Sequence, residues 1–215
     1  KLMYRNSEKI LISSRGFRES ILDKGDFEDK LVYFPNWAED VFAASPDVPV
    51  PALPEGFKVM FAGNVGEAQD FDNVLRAAML LKGTGVRLII LGDGRKKAWA
   101  DSFVAENGLE DVVFMMGRHP LETMPAFFCQ ADVLFLSLKN DYIFSLTAPA
   151  KLQAYMASGK PVLAMVDGEA RNLIEDAECG LSCAAGDYEA FAQCVLNLKS
   201  MSDDERDEMG RKGLE

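Results

Sequence analysis

The 215-residue chain is 48% hydrophobic and 27% charged, an ordinary globular balance, long enough to bury a full core. Its 34 acidic against 23 basic residues give a net charge of −11, which argues against a non-specific nucleic-acid binder and a polybasic membrane surface. A local anion site stays open, because a few well-placed donors hold a phosphate.

The start, Lys1-Leu2-Met3-Tyr4, has no hydrophobic signal core and does not open as a full gene product should, so a piece of something longer is expected. Ile10 to Ser14 and Leu31 to Phe34 read as strands flanking a helix near Phe17 to Lys24. Residues 1–43 are too few for a domain and read as the tail of a preceding one. Residues 44–56 hold Pro46, Pro49, Pro51 and Pro54, which continue neither a helix nor a central strand, so a linker is predicted. From there, residues 57–215 form one domain.

Lys58 to Ala62 reads as a strand, followed by a helix from Phe71 to Lys82 with Asp70 or Asp72 as its cap. Strands at Val86 to Leu91 and Val112 to Met116 enclose a helix near Lys96 to Asn107. The apolar run Asp132 to Leu138 suits a strand covered on both faces. A helix from Pro149 to Ser158, closed by Gly159, leads to a strand at Pro161 to Val166. Asp187 caps a helix from Tyr188 to about Lys199, and a charged helix starts at Asp203. No apolar run approaches the roughly 20 residues of a membrane span.

This alternation predicts an α/β fold, a doubly wound, Rossmann-like parallel sheet with right-handed crossovers. Ligands of such sheets sit at the carboxyl ends of the strands, which directs attention to the loops after Ala62, Leu91, Met116, Leu138 and Val166.

In the first of these loops, Gly63 and Gly66 form either an amide nest for an anion or a tight turn. The spacing is GxxG, not the GxGxxG of a dinucleotide site, which argues against an NAD-dependent enzyme. Leu91-Gly92-Asp93-Gly94 reads equally as an ordinary turn or a ligand contact. Arg118 and the single histidine, His119, follow the third strand; without a partner carboxylate, His119 suits a wall contact for a base or sugar. Cys129, Cys179, Cys183 and Cys194 make no CxxC, so a zinc site is not expected. Lys151 stands out: it falls in a first helical turn, where the dipole disfavours a cation. Either an anion binds there, or Asp141 or Asp167 pairs with it.

Read together, VMFAGNVG, LIILGDG, VVFMMG, the strand entered by QAD, PAKLQAYMASGKPV and ECGLSCAAGD resemble, in order and spacing over residues 57–200, the donor-binding domain of glycosyltransferase family 4. Pro35-Asn36-Trp37 matches the crossing from acceptor to donor domain. The PxKxQxYMAxGKP variant is most similar to bacterial transferases that add amino-deoxy sugars in O-antigen or capsule assembly. The resemblance implies the second domain of a GT-B fold, a retaining reaction, a nucleotide-diphosphate sugar donor with uridine as its base, no cofactor and no required metal. It further implies an acceptor saccharide or lipid-linked saccharide bound through the other domain, and a cytoplasmic enzyme with peripheral contact to the inner membrane through that domain. Residues 1–215 alone are then expected not to transfer sugar.

Carried over by position, Gly63, Asn64 and Gly66 lie against the donor phosphates or sugar, Thr147 and Lys151 near the diphosphate, and Arg118 and His119 near the nucleobase. The family's ExxxxxxxE glutamates fall on Leu146 and Ala154, and its Arg and Lys after the first strand are replaced as well. Gln153 is the nearest substitute for the hydroxyl contacts. A GT-B-like domain that binds a nucleotide or a partner without turnover is the alternative that these departures favour.

Overall fold

The computed structural model describes residues 2–43 and 48–215. Before the main sheet come α1 (Leu2–Asn6), β1 (Ile10–Ile12), α2 (Phe17–Leu22) and β2 (Leu31–Tyr33). The two strands pair in parallel, over a small core of Ile10, Ile12, Ile21 and Phe27. A 3-10 turn, Asp40–Ala43, follows.

Of the proline-rich stretch, residues 44–47 lie outside the described residues, and 48–56 have no helix or strand. The stretch is nonetheless pinned. The Leu53 amide donates to Gln130 Oε1 at 3.3 Å, and Val50 and Leu53 pack on the core.

The main body alternates β3 (Phe57–Ala62), α3 (Phe71–Leu80), β4 (Val86–Leu91), α4 (Lys97–Glu106), β5 (Val113–Gly117), α5 (Met124–Gln130), β6 (Val133–Ser137), α6 (Tyr142–Ser145), α7 (Ala150–Ala157), β7 (Val162–Met165), α8 (Glu169–Asp176), β8 (Gly180–Cys183), α9 (Tyr188–Ser200) and α10 (Asp203–Lys212). The six strands β3–β8 form one parallel sheet in the order β5-β4-β3-β6-β7-β8. The direction of winding reverses between β3 and β6, where open sheets of this type form a crevice beyond the strand ends.

Successive strand residues point to opposite faces, and both faces are covered. Val59 and Phe61 of β3 join Leu75 of α3 and Phe191 of α9 in one core. Met60, from the same strand, joins Phe127 of α5, Leu152 of α7 and Ile174 of α8 in the other. Burial on both faces explains the near-continuous apolar runs.

The element boundaries depart from the sequence reading for local reasons. Pro149 is the N-cap of α7, with extended backbone, and the helix begins one residue later. Asp70 occupies the N-cap of α3, but in left-handed backbone at φ 48°, and its carboxylate accepts from Asn73 Nδ2 (2.8 Å) instead of capping. Asp187 caps α9 as expected, accepting from the Ala190 amide at 2.9 Å. Helices α1, α5, α6 and α8 and strand β8 have no counterpart in the sequence reading. In α5, apolar residues on every side erase helical periodicity, and Pro125 in its first turn reads as a breaker. All four cysteines are free thiols.

Candidate functional site

The carboxyl end of β3 is built by contact with the next loop. Gly63 N–H donates to Leu91 O (2.8 Å) and Val65 N–H to Asp93 O (2.8 Å), so these amides serve the fold and are not turned to a ligand. The two loops come so close that a Cβ on Gly92 would lie 1.8 Å from Gly63 O. That contact gives LGDG a role neither sequence reading named. Glu67 clamps the far end of the loop, pairing with Lys139 at 2.7 Å and Lys96 at 3.5 Å. The Lys139 hydrogen bond holds the Glu67 carboxyl below its ordinary range.

Tyr155 ties α7 to the same strand end. Its hydroxyl accepts from the Ala62 amide (2.8 Å) and donates to Ala62 O (3.2 Å), and the side chain is fully buried. This brings the first turn of α7 over Gly63. A cleft of about 580 Å³ opens there, with Gly63, Asn64, Gly92 and Asp93 on one wall and Lys151, Ala154 and Tyr155 on another. Arg118 and His119 stand at one side, and Phe42, Met124 and Phe128 supply apolar lining.

Lys151 is the electrostatic centre of the cleft. Its ammonium lies over the Phe61 ring, 3.9 Å from the centroid, and a Cβ on Gly63 would sit 2.9 Å from Nζ. Burial pushes its pKa down to about 7, and among the described residues no hydrogen bond or opposite charge acts on it. The pairing with Asp141 or Asp167 does not form. Asp141 instead accepts from the Ile143 amide at 3.0 Å, and Asp167 from the Ala185 amide at 3.3 Å.

His119 Nε2 lies 3.2 Å from Met116 O, and its ring meets the Phe127 ring edge-on at 4.6 Å. Arg118 is exposed beside it. The fold therefore gathers Gly63, Asn64, Arg118, His119 and Lys151 around one cleft.

Gly66, Thr147 and Gln153 do not line it. Gly66 is buried within its loop, where a Cβ would meet Asn64 Nδ2 at 2.4 Å. Thr147 Oγ1 donates to Ile143 O at 2.8 Å. Gln153 follows Lys151 by two residues, about 200° around a helix, so it points elsewhere; its amide reaches Pro149 O at 2.8 Å. Sequence reasoning missed Glu39 and Phe42, which reach the cleft from before the proline-rich stretch, and the apolar residues of α5. No local pattern marks the first two. The apolar run Met124 to Phe128 was a signal for the third.

Residues 56–200 match the family described as Glycosyl transferases group 1. Over 215 aligned residues the chain is 30% identical to WbjE of Pseudomonas aeruginosa, named a glycosyltransferase, covering 93% of this chain and 52% of that protein. It is 28% identical over 165 residues to WcaI of Escherichia coli, named for colanic acid biosynthesis, covering 72% of this chain and 39% of that protein. The chain thus spans about half the length of the first relative and less of the second. Among solved structures, HepE of Anabaena, in complex with UDP and glucose, is similar with a TM-score of 0.78 at 17% identity, over 99% of this chain and 59% of that one. That likeness is one of fold: a doubly wound α/β sheet shared with GT-B glycosyltransferases.

Proposed function

The chain belongs to the family of Glycosyl transferases group 1, and on that premise we propose that its cleft is the donor site of a retaining, metal-independent transferase that uses a UDP-sugar. The observation that carries this reading is Lys151: a buried ammonium without an acidic partner among the described residues, in the first turn of an eight-residue helix. Free amides and the helix dipole attract an anion to that turn, and a diphosphate there satisfies the ammonium as well. Charge growing on the departing diphosphate is stabilised by groups already in place, which is how such a site lowers a barrier without a protein nucleophile.

In this reading Arg118 and His119 lie toward the nucleobase, Gly63 and Asn64 toward the phosphates or sugar. Gly66, Thr147 and Gln153 support the surrounding loops and helix. Residues 2–43, with their own two-stranded sheet, belong to an acceptor-side domain that binds a saccharide or lipid-linked saccharide. The role in surface polysaccharide synthesis is supported by relatives such as WcaI, named for colanic acid biosynthesis; the location, in the cytoplasm and at the inner membrane through that domain, follows from the family resemblance alone. No helix of the described residues is long and apolar enough to cross a membrane.

The test is calorimetric titration of wild type and Lys151→Ala with UDP and with uridine, in the presence of a chelator, beside melting curves. A charged hydrogen bond contributes about 1.5–3 kcal/mol, so UDP affinity falls roughly ten- to 150-fold in the variant while uridine affinity holds. Unchanged UDP affinity places the phosphates elsewhere, and loss of wild-type binding in chelator refutes metal independence.

Leu146 and Ala154, where the family's motif has glutamates, favour a second reading: a domain that binds the nucleotide without turnover. UDP binding without any hydrolysis or transfer of a UDP-sugar by the full-length protein would select it.

A further inference from the structure

A ligand rich in hydroxyls needs acceptors as well as cations, and the cleft offers few. Among the described residues its two carboxylates are Glu39 and Asp93. Asp93 Oδ1 already accepts from the Gly94 amide at 2.7 Å. The Tyr155 hydroxyl is turned to the Ala62 backbone. Ala154, on the cleft wall, presents a methyl group.

Glu39 differs from all of these. Glu39 is exposed at the rim, and among the described residues its carboxylate has no hydrogen-bond or ion-pair partner, while the chain is held on both sides of it. Three residues before it, Asn36 Nδ2 donates to Ala148 O at 3.3 Å, fastening the segment to the approach of α7. Three residues after it, the Phe42 ring stacks on Phe128 of α5, at 5.8 Å and 11° between planes. The segment therefore brings a free carboxylate to the side of the cleft where α7 has none.

We propose that Glu39 is a specificity-determining residue of the cleft, accepting hydrogen bonds from two adjacent hydroxyls of the bound nucleotide sugar. The inference rests on the nucleotide-sugar reading above and adds to it the group that recognises a sugar ring. An ionised carboxylate has two oxygens that accept in parallel, which matches a vicinal diol and leaves the phosphates to Lys151. The diol is that of the ribose or of the transferred sugar, and the two are separable.

The experiment is calorimetric titration of the 215-residue wild type, Glu39→Ala, Glu39→Gln and Lys151→Ala with UDP, 2′,3′-dideoxy-UDP and UDP-glucose. Glu39→Ala is expected to weaken UDP binding by about tenfold or more, Glu39→Gln by less, and neither to change binding of the dideoxy compound. A penalty that appears only with UDP-glucose assigns the diol to the transferred sugar and supports the proposal equally. Equal penalties with UDP and dideoxy-UDP overturn it, because Glu39 would then act through local structure. So does unchanged affinity for UDP and UDP-glucose in Glu39→Ala; if Lys151→Ala still weakens both, the nucleotide reading survives without Glu39. Wild type that binds none of the three ligands overturns both.

Discussion

The Lys151 ammonium stands 3.9 Å from the centroid of the Phe61 ring, at the carboxyl end of β3. Phe61 is itself fixed in the core, edge-on to Phe71 at 5.1 Å and tilted against Phe135 at 5.5 Å. The charge therefore rests on a rigid aromatic face, which attracts it but replaces only part of its lost hydration. A cation placed this way destabilises the empty protein and is stabilised by an anionic ligand.

That balance has a pH dependence with a definite sign. Burial lowers the Lys151 pKa from 10.5 to about 7. Between those values the unfolded chain holds a proton that the folded chain has released, so stability rises with pH through this window and the burial penalty is complete below it. Lys151→Met removes the effect. The unfolding free energy of the variant minus that of wild type, from urea titrations at pH 7 to 10, is expected to shrink by about 1.4 kcal/mol per pH unit. UDP affinity of wild type falls over the same range, because the diphosphate needs the charged form. A pH-independent difference between the two proteins would refute the buried, unpaired ammonium.

Gly63 lies under the same ammonium. Its φ of +146° is a conformation that side chains rarely adopt, and an added Cβ would meet Lys151 Nζ at 2.9 Å. Gly63→Ala is expected to cost about 1–3 kcal/mol in stability through backbone strain and to displace the ammonium, weakening UDP binding. Denaturant unfolding and UDP titration check the two effects separately. Wild-type affinity in this variant would place the diphosphate away from the end of β3.

Tyr155 fixes the distance between α7 and β3. Tyr155→Phe leaves the Ala62 amide without the acceptor it has at 2.8 Å, at an expected cost of about 1–3 kcal/mol. The loss of stability comes with a smaller loss of UDP affinity, since Lys151 on the same helix becomes less precisely placed. Urea unfolding measures the first, calorimetry the second. A variant as stable as wild type would mean that water replaces the hydroxyl.

The order of strands and helices was legible because it is written in short-range pattern. Apolar runs bounded by turns at Lys58 to Ala62, Val86 to Leu91 and Asp132 to Leu138 became β3, β4 and β6, the second with the same bounds and the others with small shifts at their ends. Lys151 was visible as a cation in the wrong turn of a helix, a conflict between one residue and the dipole of its own element. Gly63 and Gly92 were visible as glycines beyond strands. Helix α5 was not, since its run Met124 to Phe128 is buried around the whole turn and leaves no polar face there to reveal its period.

Which residues face one another was settled only by tertiary packing. Sequence position put Gln153 beside Lys151, but helical rotation turned it away, and hydrogen bonding drew Thr147 back to Ile143. Glu39 and Phe42 reach the cleft from far along the chain, because Asn36 binds Ala148 O and Phe42 stacks on Phe128. Neither contact leaves a trace in local composition. The sequence alone determined the alternation, the doubly wound sheet and the unusual lysine, since backbone preference and side-chain periodicity act over a few residues. The cleft itself depends on where distant segments dock, and that is decided by the shape and hydrogen-bonding capacity of surfaces that exist only after the sheet has formed.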